Sequence, residues 1–134
     1  MIVVDTNVVA YLYLGADRTE QAERALVRDA AWAVPLLWRS EMRNVLATQV
    51  RGGGLDQADA LRIQDEAERL LADGEFTVAS HDVLELAAGS GCSAYDCEFV
   101  ALARDLDARL VTVDRQLLRA FPEVAVGLEE FATG

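Results

Sequence analysis

Two short runs of apolar and β-branched residues, Ile2-Val3-Val4 and Leu110-Val111-Thr112-Val113, are each followed directly by an aspartate, Asp5 and Asp114. The runs are too short for helices, and no polar residue alternates through them to give a wet face. They read as buried strands of a parallel sheet. Trp32–Val34, Phe76–Ala79 and Val124–Val126 are three more short strands of the same kind. Between them lie stretches with helical periodicity. Thr6 or Asn7 caps a helix running to about Leu14, and Asp17 caps a second through Ala31. Leu37–Arg51 and Asp56–Ala72 are longer helices separated by Gly52-Gly53-Gly54, with Gly74 at the end of the second. Ser80 caps a helix to about Ala88, and Ala94–Asp107 and Arg115–Ala120 complete the set. Strands alternating with helices mean an α/β fold with a mostly parallel sheet. The 134 residues fit one domain, residues 1–134.

Four carboxylates do not lie where a solvated surface would put them. Asp5 and Asp114 stand at the carboxyl ends of two buried strands. That is where open α/β sheets place their ligands, at the point where strand order reverses. Glu41 falls on the apolar arc of Leu37–Arg51, among Leu37, Trp38, Met42, Val45 and Leu46. Asp96 lies between Phe99 and Val100 on a helix that buries Tyr95, Phe99, Leu102, Ala103 and Leu106, while Glu98 and Asp105 fall on its wet side. An inward carboxylate is costly unless something compensates it. Each one alone could be a helix cap or the partner of a buried arginine. Together, four inward acids from four segments point to one shared counter-charge, a metal ion. An all-oxygen donor set suits Mg²⁺ or Mn²⁺. Zinc is disfavoured, because the chain has one histidine, His81, and its two cysteines, Cys92 and Cys97, are not spaced as a ligand pair. His81 reads as a surface residue at a helix start, and Cys97, Trp32 and Trp38 read as packing.

All 12 basic residues are arginines. Without lysine there is no P-loop lysine, no Schiff base and no phosphoaspartate-sensing lysine, so a receiver domain is excluded. A haloacid-dehalogenase-type phosphatase needs a second aspartate two residues after Asp5, where Asn7 stands.

The residues also resemble a family. Val4-Asp5-Thr6-Asn7-Val8 resembles the opening motif of PIN-domain nucleases, and Trp38-Arg39-Ser40-Glu41-Met42-Arg43-Asn44-Val45-Leu46 is similar to their glutamate helix. Ala94-Tyr95-Asp96-Cys97-Glu98-Phe99-Val100-Ala101-Leu102-Ala103 resembles their third motif, and Leu110-Val111-Thr112-Val113-Asp114 their last acidic strand end. The match spans nearly the whole chain in the right order. Cys97 departs from it, standing where many relatives carry alanine. The resemblance implies a three-layer α/β/α PIN-like fold with a short, mostly parallel sheet. It also implies a Mg²⁺- or Mn²⁺-dependent endoribonuclease, of the VapC type found as toxins of bacterial toxin–antitoxin pairs. Asp5, Glu41, Asp96 and Asp114 would then hold the metal, directly or through water. Thr6 and Thr112 would orient carboxylates, and Asn7 would help place metal or scissile phosphate. RNA, a cognate antitoxin and a second copy of the chain are the implied partners. A non-catalytic, partner-binding PIN-like module is the alternative.

The formal net charge of −11 argues against tight, non-specific nucleic-acid binding. The surplus is uneven, with three arginines against nine acids in residues 51–90 but five against six in residues 1–50. Arg39, Arg43, Arg115 and Arg119 flank two of the site acids and are candidates for handling phosphate. No signal peptide and no stretch long enough to span a bilayer is expected, which suggests a cytoplasmic protein outside the membrane.

Overall fold

Val3, Val4, Leu110 and Val111 have no exposed surface, and each such side chain contributes about 1.5–3 kcal/mol on burial. They build the two central strands in the computed structural model, which describes residues 1–15 and 17–134. The strands are β1 (Ile2–Val4), β2 (Trp32–Pro35), β3 (Glu75–Phe76), β4 (Leu110–Thr112) and β5 (Ala125–Gly127). All pairings are parallel and the order is β3-β2-β1-β4-β5. The chain winds outward from β1 through β2 to β3, then returns to the other side of β1 for β4 and β5. The strand order therefore reverses between β1 and β4.

The helices are α1 (Thr6–Tyr13), α2 (Thr19–Arg28), α3 (Leu37–Arg51), α4 (Gln57–Leu70), α5 (Ser80–Ser90), α6 (Ala94–Asp105), α7 (Arg115–Ala120) and α8 (Leu128–Thr133). Helix α6 packs on β1, β2 and β4 and carries α5, whereas α1, α2, α3 and α8 form a second connected group. The sheet lies between these two layers, giving an α/β fold. Among the described residues no helix is long and apolar enough to cross a membrane.

Helix α3 has the bounds its periodicity predicts. Other elements differ for local reasons. The strand expected at Phe76–Ala79 is the two-residue β3, because pairing with β2 ends at Pro35↔Phe76. It is preceded by a 3-10 turn, Ala72–Gly74. Gly74 belongs to that turn, and a Cβ there would run into the Trp32 carbonyl oxygen, so only glycine fits. Ser80 does not cap α5. It is the first helical residue, and Ala79 holds the cap position with no side-chain hydrogen bond. Asp17 likewise lies before the cap position of α2, which Arg18 holds. Neither Thr6 nor Asn7 caps α1, since both are inside it and Asp5 holds the cap position without using its side chain to cap. The short helix α8 was not expected from the sequence. Its Leu128 is buried, and the helix packs along α2.

Candidate active site

A cleft of about 410 Å³ opens beyond the carboxyl ends of β1 and β4. Asp5, Glu41, Asp96 and Asp114 all line it, as do Thr6 and Asn7. The four acids arrive on four different pieces of structure, Asp5 between β1 and α1, Glu41 in α3, Asp96 in the first turn of α6, and Asp114 after β4. The cleft is thus at the reversal of strand order, where two crossovers leave in opposite directions and a crevice must form.

The supporting hydrogen bonds are specific. Asp5 is 9% exposed, and its Oδ2 accepts from Thr112 Oγ1 at 2.7 Å. Thr112 is wholly buried, and its Oγ1 also accepts from the Asp114 amide at 3.0 Å. One threonine thereby couples the ends of β1 and β4. Across the cleft, Thr6 Oγ1 donates to Glu41 Oε1 at 2.7 Å. Ser93 caps α6 by accepting from the Asp96 amide at 3.0 Å, which sets the turn that presents Asp96. Asp114 does cap α7, its Oδ1 accepting from the Leu117 amide at 3.1 Å. That cap uses one oxygen and leaves the residue on the cleft wall.

No ion pair among the described residues involves any of the four acids. Asp5, Glu41 and Asp96 therefore stay above the ordinary carboxylate range. Burial is the largest cause for all three. Thr112 pulls Asp5 back in part and Thr6 does so for Glu41. Neighbouring charge raises them further, Asp96 and Asp114 acting on Asp5, Asp5 and Asp96 on Glu41, and Asp114 on Asp96. Repulsion alone, the expectation from a cluster of acids, is second to desolvation.

The arginines expected to handle phosphate are not on the cleft wall. Arg39, Arg43, Arg115 and Arg119 do not line the cleft. Arg39 is turned away into bonds with Glu75 at 2.6 and 2.8 Å and with Glu68 at 2.9 Å. Tyr95, expected in the core, is 65% exposed and stands on the cleft wall. It belongs to the first turn of α6, which borders the cleft. Phe99, Leu102 and Ala103 farther along are buried. Glu98 is half-buried, not on a wet face, and Leu106 is only partly buried. Ser40 and Asn44 also line the cleft and were missed. The signal was available, because Asn44 follows Glu41 by three residues and so shares its helical face. His81 is exposed beside Glu85, and Trp32, Trp38 and Cys97 pack in the core, as expected.

The donor set fits a hard divalent cation. It is all oxygen, partly desolvated, and has no ion-pair partner among the described residues. No three His, Cys, Asp or Glu side chains among the described residues converge closely enough to form a ready-made cage.

The sheet order and the acid-lined crevice at its reversal define a domain class. The chain belongs to the PIN domain family, whose model matches residues 2–123. It is 33% identical to Ribonuclease VapC3 of Pyrobaculum aerophilum over 124 residues, 90% of this chain and 95% of that relative. Its fold is similar to the crystal structure of PAE2754 from Pyrobaculum aerophilum, with a TM-score of 0.79 and 22% identity over 98% of this chain and 93% of that one. At that identity the likeness speaks for the fold alone.

Proposed function

We propose that this chain, as a single PIN domain, is a divalent-metal-dependent endoribonuclease and the toxin of a toxin–antitoxin pair. The observation that carries the reading is the convergence of Asp5, Glu41, Asp96 and Asp114 on one cleft, with no ion-pair partner among the described residues. The likeness to a relative named as a VapC-type ribonuclease supports it.

Asp5, Glu41, Asp96 and Asp114 would hold Mg²⁺ or Mn²⁺, directly or through water. When bound, such an ion polarises a phosphoryl oxygen and lowers the pKa of a water, so no side-chain nucleophile is needed. The chain's own residues do the rest. Thr112 fixes Asp5 and Thr6 fixes Glu41, so each carboxylate keeps a second oxygen for the cleft. Asn7, Ser40 and Asn44 offer neutral donors and acceptors to a phosphate or ribose without adding charge. In this reading a bound ion would supply the positive charge that a backbone phosphate needs, and the acidic surface elsewhere opposes binding to arbitrary nucleic acid. RNA, a cognate antitoxin and a second copy of the chain are the partners of this reading, and the cytoplasm is its compartment.

The test is incubation of the purified chain with total RNA in millimolar Mg²⁺ or Mn²⁺, with and without EDTA. The reading requires new RNA ends that disappear with EDTA. A folded, metal-supplied chain that leaves RNA intact yet binds a partner protein would assign it to the non-catalytic alternative. Sedimentation of the chain alone tests the homodimer.

A further inference from the structure

A second groove of about 370 Å³ adjoins the cleft, lying beyond the carboxyl ends of β2 and β3. The same two stretches of chain wall both cavities. Leu37 and Asp96 face the acid cleft, while Leu36 and Glu98 face the groove. Glu98 is near enough to Glu41 for its charge to act there. Phe76, Val78, Val83 and Leu84 give the remaining walls apolar surface, and the Thr77 and Ser80 side chains add hydroxyls. Leu36 is 47% exposed and Leu84 is 65% exposed, so two of the chain's exposed large apolar side chains meet at this one place. Glu98 makes no hydrogen bond or ion pair with any described residue, unlike the half-buried Glu68 and Glu75, which Arg39 satisfies.

A mainly apolar slot whose one charged wall group is a carboxylate, with the Thr77 and Ser80 hydroxyls beside it, favours a ligand with a flat apolar body and N–H donors along the edge that meets Glu98. A nucleobase is such a ligand, and single-stranded RNA offers its bases unstacked. Guanine presents two adjacent donors, N1–H and the N2 amino group, which one carboxylate accepts together. Adenine and cytosine set a ring acceptor beside their amino group, and uracil flanks its one N–H with carbonyls, so each would place a lone pair against Glu98. We propose that this groove holds a guanine flanking the cleaved phosphodiester, with Glu98 accepting from its Watson–Crick edge and Phe76 and Leu84 against its faces. The proposal rests on the ribonuclease reading above and names the substrate feature that reading leaves open. It accounts for the spacing, because a base next to the scissile phosphate must occupy a cavity next to the acids.

The experiment uses the full chain with Mn²⁺ and short single-stranded RNAs spanning one of its cleavage sites. The base on either side of the bond is varied among guanine, inosine, 7-deazaguanine and the other three. Inosine lacks the N2 amino group, and 7-deazaguanine keeps the whole Watson–Crick edge. At one flanking position guanine and 7-deazaguanine should be cleaved about ten-fold better than inosine in kcat/KM. Glu98→Gln, which keeps shape but turns one acceptor into a donor, should bring the guanine-to-inosine ratio close to one, whereas His81→Ala on the exposed face keeps it. Efficient cleavage that ignores the base at both positions overturns the pocket and leaves the ribonuclease reading standing. So does a Glu98→Gln variant with the wild-type ratio. Base-blind cleavage together with weakened binding of the cognate antitoxin in Glu98→Gln assigns the groove to a protein segment instead. A folded chain that cleaves no RNA with metal present fails the ribonuclease reading itself, and the pocket with it.

Discussion

Helix α3 carries two acid-binding environments within about one turn, and they are opposites. In one, Trp38 and Arg39 surround Glu75. Trp38 Nε1 donates to its Oε2 at 2.7 Å, and the Arg39 guanidinium adds two more bonds. The guanidinium holds Glu75 below the ordinary carboxylate range. In the other, two residues after Arg39, the Glu41 carboxylate has the Thr6 hydroxyl as its hydrogen-bond partner and acids as its charged neighbours, and burial holds it above that range. Chain-supplied compensation marks a carboxylate that holds the fold together. Withheld compensation marks one kept for something that binds from outside. Glu68 and Glu75 share the Arg39 guanidinium, whereas the four cleft acids have no ion-pair partner among the described residues.

The largest effect that would break this comparison is on activity. Asp5→Asn keeps an acceptor for the Thr112 hydroxyl and removes only the charge. RNA cleavage should fall by more than the roughly 100-fold that outer-shell losses around a metal cost. The same variant should be as stable as the wild type or more so in EDTA, because it removes an uncompensated buried charge. A variant that unfolds would show that Asp5 belongs with Glu75, as a structural acid.

Glu75→Ala is the converse. It leaves the fully buried Trp38 indole N–H without an acceptor, at a cost of about 1–3 kcal/mol. Thermal unfolding should show that loss while cleavage per folded molecule is retained. If cleavage falls as far as in Asp5→Asn, the two environments on α3 are not separate in function.

This difference between the two environments also marks how far the sequence is legible. Hydrophobic runs and helical spacing are local, so β1, α3 and the inward aim of Asp5, Glu41, Asp96 and Asp114 follow from them. The partner of Arg39 is 36 residues away on β3, and no local pattern names it. The same holds for Tyr95. Its helical position predicts burial, but what decides is whether the sheet or the cleft lies beneath the first turn of α6. The shortness of β3 depends on where β2 stops pairing, and α8 on a surface that α2 offers. The four acids could be collected from the sequence, whereas the groove beside them, built from Leu36, Phe76, Leu84 and Glu98, required the packing.

A smaller effect is the response to metal. Mg²⁺ or Mn²⁺ at 10 to 100 times its dissociation constant should stabilise the wild type by about 1.4–2.7 kcal/mol by mass action. For a domain of this size that is a rise of several degrees in Tm. Asp5→Asn should lose most of the rise and Glu75→Ala should keep it. An unchanged Tm in a well-folded wild type would count against a metal site.

The smallest effect is in pH, and its sign separates the two environments. Asp5 has a folded pKa above its unfolded value near 3.8. The folded state therefore holds its proton more tightly, so the stabilisation it gives is complete below the unfolded value and lost as pH rises through the folded one. Glu75 is the reverse. Its stabilisation is present above an unfolded value near 4.5 and is lost as pH falls through its lowered folded value. In EDTA, any advantage of Asp5→Asn over the wild type should thus be full at neutral pH and vanish below about pH 3.8, where the wild-type carboxyl is also neutral in both states. The deficit of Glu75→Ala should move the other way, greatest at neutral pH and shrinking in acid as the wild type loses its ion pair. Denaturant titrations at stepped pH would read both trends. An Asp5→Asn advantage that persisted at low pH would mean the charge was never the cost, and that the amide had improved the packing at Thr112.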